Sequence, residues 1–158
     1  MHRPDIVSDD ADDAADALAR GETTKFVVAP HDLSLDEWDR MCKAAWDHGN
    51  VHIINDESKG LYAGQHIPEA TEHHQRIMMQ GRVRGVGVTN TSQRPRSIPK
   101  ETITECEHVF CFRLNTYDDR KIVAEVMGDP VMDAGRLGKH EFYYWNTDLM
   151  EPVHCAPL

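Results

Sequence analysis

Two apolar runs, each closing on a polar cluster, constrain this chain more than anything else in it. The first, in GNVHIINDESKGLY, closes on the acidic pair Asp56-Glu57; the second, in QGRVRGVGVTNTSQRPRSIP, closes on Ser92-Gln93-Arg94-Pro95. A helix-like span separates them. In a parallel sheet both runs deliver their polar residues at strand C-terminal ends, where α/β folds place ligand chemistry. A carboxylate pair there suits nucleotide hydrolysis. The first acid can hold Mg²⁺ through its water shell, and the second can orient or deprotonate the attacking water. The competing reading of the pair alone is a strand running into an acidic turn.

The second run narrows the choice. GRVRGVGVTNTSQRP resembles the stretch after the Walker B strand in FtsK/HerA-type P-loop ATPases, the group of DNA translocases, viral genome-packaging ATPases and conjugation pumps. In that group a Gly-Arg pair closes a helix, a buried strand follows, and a sensor Gln lies in a TQRP or SQRP motif. The resemblance runs from about residue 26 to 128 and is carried by Asp56-Glu57, Gly81-Arg82 and Ser92 to Pro95. It implies an α/β fold with the mainly parallel sheet of a RecA/ASCE-type P-loop ATPase core, using ATP and Mg²⁺. In the implied roles Asp56 serves Mg²⁺, Glu57 activates water and Gln93 senses the γ-phosphate. Arg82, with Arg84 as second candidate, reaches a neighbouring subunit's nucleotide. The implied partners are further copies in a ring or a full-length ATPase subunit, with double-stranded DNA as cargo.

Two features depart from the pattern. His52 and Asn55 put polar groups into a strand that should be nearly all apolar if both its faces are buried. The chain also contains no GxxxxGK[ST]. The nearest string, Gly21-Glu22-Thr23-Thr24-Lys25, lacks the second Gly before Lys and the Ser/Thr after it. That loop is what cradles phosphates and places a lysine on the β/γ oxygens. Residues 1–158 are therefore expected to be a single partial ATPase domain carrying the Walker B, sensor and C-terminal strands, with a coil tail over 147–158. The family's strand order puts the missing strand between 86–90 and 108–114, leaving two unpaired edges. Two rival readings stand beside the enzyme: a non-catalytic module docking onto a full-length ATPase, and a truncated reading frame.

Composition bounds these readings. Forty per cent apolar and 28% charged residues describe an ordinary globular chain. No apolar run approaches the about 20 residues that span a bilayer, and the acidic N-terminus has no apolar h-region, so a cytoplasmic or virus-associated setting is expected. A net charge of −10 excludes a simple nucleic-acid coat. The charge is uneven, however. From Arg76 to Lys100 the chain carries Arg76, Arg82, Arg84, Arg94, Arg96 and Lys100 without one acid. These cations either touch phosphates or pair with the acidic surface. Cys42, Cys106, Cys111 and Cys155 fit no disulfide or metal spacing, and Cys111 reads as a core residue.

Periodicity and punctuation supply the elements. Short strands are expected over 3–7, 26–29, 51–55, 86–90, 108–114 and 141–146. Helices are expected from Ala11 to Arg20 behind a Ser8-Asp9-Asp10 cap, from a Ser34/Glu37 capping box to the Gly49 stop, from Pro68 through Arg82, over 100–106, and from Asp118 to Met127. Lys59 to His66 reads as a loop carrying Tyr62, and Gly135 to Gly138 as a turn. His73 and His74 are adjacent and point apart on a helix, which argues against a shared metal.

Overall fold

The computed structural model describes residues 6–21, 26–28, 34–57 and 71–157. The loop with Tyr62, Pro68 and most of the Gly21–Lys25 string lie outside these. The described residues form two compact units, one running up to Asp56 and taking in the stretch up to Asn90, the other made of Glu57 and the residues from Thr91 onward.

In the first unit β1 (Ile6–Ser8) and β2 (Phe26–Val28) pair in parallel around α1 (Ala11–Ala19). Asp10 caps α1, its side chain accepting from the Asp12 N–H, and the acids of the first turn favour the helix dipole. Ala11, Ala14 and Ala17 form a buried stripe of small side chains that lets α1 lie close to α2 (Leu35–His48). The expected capping box is present. Glu37 N–H donates to Ser34 Oγ (3.2 Å), and Ser34 N–H donates to the Glu37 carboxylate (2.8 Å). Trp38, Cys42 and Ala45 supply the buried face, and burial pushes the Cys42 thiol pKa far up.

Next come β3 (His52–Asn55), α3 (Glu72–Arg84) and β4 (Gly87–Asn90), with β3 and β4 parallel in the register Asn55 to Asn90. The side chain of Asp39, from α2, receives the His73 backbone N–H and ring Nδ1 at 2.8 and 2.7 Å, fastening α2 to the start of α3. His74 is buried edge-on against Trp38. At its other end α3 runs past the Gly81-Arg82 pair and closes one turn later in a Schellman motif. Val86 N–H donates to Gly81 C=O (2.9 Å), Gly85 N–H donates to Arg82 C=O (3.2 Å), and Gly85 takes φ +68°. A Cβ on Gly81 would stand 2.4 Å from the Val86 carbonyl oxygen. That close approach, rather than helix termination, is what the glycine provides.

The second unit holds α4 (Lys100–Thr104), β5 (His108–Cys111), α5 (Tyr117–Met127), β6 (Phe142–Asn146) and β7 (Val153–Cys155). Here the sheet is antiparallel, in the order β5-β6-β7. Its core joins Cys111, Val123 and Met127 to Val131, Ala134 and Leu137. Val131 and Ala134 come from a 3₁₀ helix, Asp129–Arg136, that overlaps the turn expected at Gly135. Cys111 is the core residue expected, and burial raises its pKa to about 12. The expected coil over 147–158 is corrected by β7. The open edge of β6 pairs with Val153–Cys155 (Tyr144 opposite Val153, Phe142 opposite Cys155).

The architecture is therefore the α/β one expected, with parallel pairing in the first unit and antiparallel pairing in the second. Among the described residues β4 has β3 as its one strand partner, and β5 has β6.

Candidate functional site

β3 ends at Asn55, and Asp56-Glu57 follow at once; β4 ends at Asn90, and Thr91-Ser92-Gln93 follow. The two strand ends are joined through their side chains. Asn55 Nδ2 donates to Asn90 Oδ1 at 2.7 Å, with Asn55 buried. This accounts for one polar residue in β3. The other, His52, lies on a face left open. It shares a hydrogen bond with Thr89 (2.8 Å) and is exposed, as is Ile54 on the same face at 72%. That face of the strand is not buried, so His52 carries no desolvation penalty there, whereas the buried Asn55 is satisfied by Asn90.

Glu57 is the most constrained of the expected site residues. Its backbone takes φ +55°, a left-handed conformation that costs a side-chain-bearing residue energy. Three contacts to the loop after β4 hold it there. Glu57 N–H donates to Thr91 Oγ1 (2.9 Å), Gln93 N–H donates to Glu57 Oε2 (3.1 Å), and Ser92 Oγ approaches Glu57 Oε1 at 3.4 Å. Ser92 Oγ also accepts from the Arg94 N–H, folding the loop back on itself. The acid expected to activate water and the glutamine expected to sense phosphate thus share one hydrogen-bonded loop.

A second set of contacts steadies that loop from the C-terminal side. Arg94 Nε lies 3.4 Å from the Asp119 carboxylate, and the Arg96 backbone N–H donates to the same carboxylate at 3.2 Å. Arg96 Nη1 pairs with Asp118 at 3.2 Å. Asp119 is only 2% exposed and also receives the Thr116 hydroxyl. A buried carboxylate needs such donors, and here they come from the SQRP segment and its own helix cap. The sequence marks Asp118 only as the start of a helix and gives neither it, Asp119 nor Thr116 a part in the site, although Thr-x-x-Asp ahead of an apolar run is a capping signal.

The basic stretch divides. Arg94, Arg96 and Lys100 pair with acids of α5, and Arg76 lies over the Trp46 ring at 4.2 Å. Arg84 donates through Nε and Nη2 to the carbonyls of Trp46 and Asp47 (3.1 and 2.8 Å), capping the C-terminus of α2. Two of its three nitrogens are committed to backbone. Arg82 stands exposed in the last turn of α3, and Asp56 is exposed directly after β3. Asp56 offers the hard oxygen donor that Mg²⁺ takes, the remaining positions being filled in such sites by water and phosphate. No GxxxxGK[ST] loop is present in the sequence to hold those phosphates.

No known family model matches the chain. The probable helicase MJ1565 of Methanocaldococcus jannaschii is 35% identical over 68 residues, which is 42% of this chain and 13% of that protein, so the match spans a small part of the relative. Among solved structures, the genome packaging NTPase B204 of Sulfolobus turreted icosahedral virus 2 in complex with ATP-gammaS superposes with a TM-score of 0.71 at 12% identity. That match covers 96% of this chain and 74% of B204. Its AMPPCP complex gives 0.72 at 13% identity over 91% and 71%. The DNA-packaging ATPase B204 of Sulfolobus turreted icosahedral virus gives 0.67 at 14% identity over 86% and 68%. At these identities the likeness establishes the fold alone, an α/β fold shared with B204.

Proposed function

We propose that this chain is the Walker B and sensor portion of an ATP-hydrolysing DNA translocase or genome-packaging ATPase of the FtsK/HerA type. The observation that carries the reading is the tie between Glu57 and the Ser92-Gln93 loop. A base and a phosphate sensor have to be coupled if the state of the nucleotide is to be relayed to movement. Asp56 would hold Mg²⁺ through its water shell, and a bound Mg²⁺ would supply positive charge to offset that of the phosphates. Glu57 accepts a proton from, or orients, the attacking water. Gln93 reads the γ-phosphate, and its loop passes the reading through Arg94 and Arg96 to Asp119 and α5. Arg82, from its exposed turn, is the candidate to reach a neighbour's nucleotide. Arg84, bound to the end of α2, is the weaker one. Double-stranded DNA and a ring of copies, which the family resemblance implies, are parts of the same proposal, and the likeness to a virus's DNA-packaging ATPase supports DNA and a virus-associated setting.

The missing phosphate loop favours a second reading, a module that docks onto a full-length ATPase and hydrolyses nothing. One experiment separates them. In an assembly that supplies GxxxxGK[ST], Mg²⁺-dependent ATP hydrolysis is measured with this chain as it stands and with Glu57→Gln. The enzyme reading expects turnover to be abolished and nucleotide binding spared, because only the base is removed. Unchanged turnover would assign catalysis to the partner and leave this chain the docking module.

A further inference from the structure

The sheet of the second unit is finished on one side only. Val109, Cys111, Tyr143 and Trp145 face the core built with α5 and the 3₁₀ helix, and the alternate positions of the same strands face outward. In register, His108 stands opposite Asn146, Phe110 opposite Tyr144, and Tyr144 opposite Val153. The Phe110 ring lies 6.0 Å from Phe142 and 5.0 Å from Tyr144, and Phe112 lies 5.3 Å from Phe142. The result is a continuous aromatic face on which Phe110, Phe112 and Val153 are 57%, 54% and 48% exposed. The two edges of the sheet differ as well. β7 is short and bracketed by Pro152 and Pro157, which blunts it against further pairing. β5 carries no proline, lysine or carboxylate over His108–Cys111, and among the described residues its far side pairs with no strand.

An antiparallel sheet can leave one face to water, but such a face is polar, and this one is aromatic. An unprotected edge calls for a strand, and a bare apolar sheet face calls for a helix. The phosphate loop that this sequence lacks is a strand–GxxxxGK[ST]–helix unit, and about a quarter of B204 has no counterpart in this chain. We propose that the β5 edge and the aromatic face together seat such a unit from another polypeptide. Its strand pairs with β5, and its helix lays an apolar side across Phe110, Phe112, Phe142 and Tyr144. The proposal rests on the reading that the phosphate loop comes from outside these 158 residues, and it names where the carrier docks. Two other occupants fit less well. A second copy joined edge to edge at β5 lengthens the sheet and leaves both aromatic faces bare. Nucleic acid finds no lysine or arginine at the outward positions of the three strands to meet its phosphates.

A photo-cross-linker reads the contact directly. In the full chain, made in the cells that normally produce it, Phe110 is replaced by p-benzoylphenylalanine. In a control the same group replaces Tyr117, which is 61% exposed on α5 and outside the sheet. Irradiation is expected to join position 110 to a polypeptide carrying GxxxxGK[ST], at the strand before that loop or the helix after it, and the control to give no such product. Phe110→Ser with Phe112→Ser should weaken binding of that purified polypeptide by about tenfold or more. The circular dichroism melt of this variant should match the parent, since both rings are more than half exposed. Glu57→Gln should cross-link as the parent does, because hydrolysis plays no part in the readout. A failure of the catalytic reading therefore leaves the cross-link standing. A cross-link from position 110 to a second copy, to nucleic acid, to another residue of the same chain or to a polypeptide without the motif would overturn the proposal. So would no cross-link at all, or a double variant that binds undiminished.

Discussion

At the residue scale, the positions that matter most are set by close approach rather than by chemistry. Gly81 is the sharpest case, because a Cβ there meets the Val86 carbonyl at 2.4 Å, and that carbonyl belongs to backbone that cannot swing aside. Gly81→Ala is expected to destabilise the protein by about 1–3 kcal/mol, the usual cost of overpacking a closed site. A chemical denaturation midpoint lowered at constant slope would record it; an unchanged midpoint would mean the α3–β4 turn can relax. Glu57 is the opposite case, a residue strained in φ but hydrogen-bonded through both backbone and side chain. Replacing Thr91 by Val keeps the shape and removes the acceptor for the Glu57 N–H. In an assembly competent for hydrolysis, this is expected to lower kcat with little change in KM, because the base is displaced while the nucleotide contacts stay.

At the element scale, helix ends decide where the loops go. Thr116 caps α5 by accepting from the Asp119 N–H, and its hydroxyl also reaches the Asp119 carboxylate that holds the SQRP loop. Thr116→Ala is expected to cost about 1 kcal/mol or somewhat more, a lost cap plus a lost partner for a buried acid. Amide exchange should quicken at Arg96, whose N–H depends on that acid. Loss of stability without faster exchange at Arg96 would mean the loop is held by other contacts. Arg84 belongs to the same scale. Its guanidinium closes α2, so Arg84→Ala is expected to lower stability by about 1 kcal/mol, discounted for exposure, and to leave hydrolysis in a competent assembly unchanged. A large loss of turnover with intact stability would return Arg84 to the catalytic candidates.

At the scale of the whole molecule, two predictions concern conditions rather than single contacts. Burial pushes the pKa of His74 down to about 4 from the ordinary 6.5, the nearby Asp39 carboxylate only partly opposing it. A group whose folded pKa lies below its unfolded one binds its proton more readily when unfolded. The neutral ring therefore favours folding fully above pH 6.5, and that contribution is lost as pH falls from 6.5 towards 4. The loss amounts to about 3 kcal/mol from His74 alone. His74→Gln should flatten the stability profile in this window; an unchanged slope would assign acid sensitivity to the carboxylates. The second prediction follows from the absent phosphate loop: the 158 residues by themselves should bind ATP weakly or not at all in the presence of Mg²⁺. Micromolar binding in a titration with labelled ATP would show that another segment cradles the phosphates.

What the sequence determined by itself is the local grammar. The capping box at Ser34, the stop at Gly49, the acid-tipped strand and the order of strands and helices can all be read from residue type and spacing, because caps, turns and amphipathic periods act within one or two helical turns. The meeting of the Asp-Glu run with the SQRP run came instead from the family resemblance, since no local signal spans the 35 positions from Asn55 to Asn90. The tertiary structure alone decided what depends on partners distant in the chain. It committed Arg84 to the end of α2, Arg94 and Arg96 to the acids of α5, and the Glu57 carboxylate to the amide of Gln93. It also made a strand of Val153–Cys155 because β6 offered an open edge. A long cationic side chain looks the same in sequence whether it meets a phosphate, a carboxylate or a carbonyl. Only the fold brings one of them within hydrogen-bond or ion-pair reach, and that proximity, not the residue type, fixes its role.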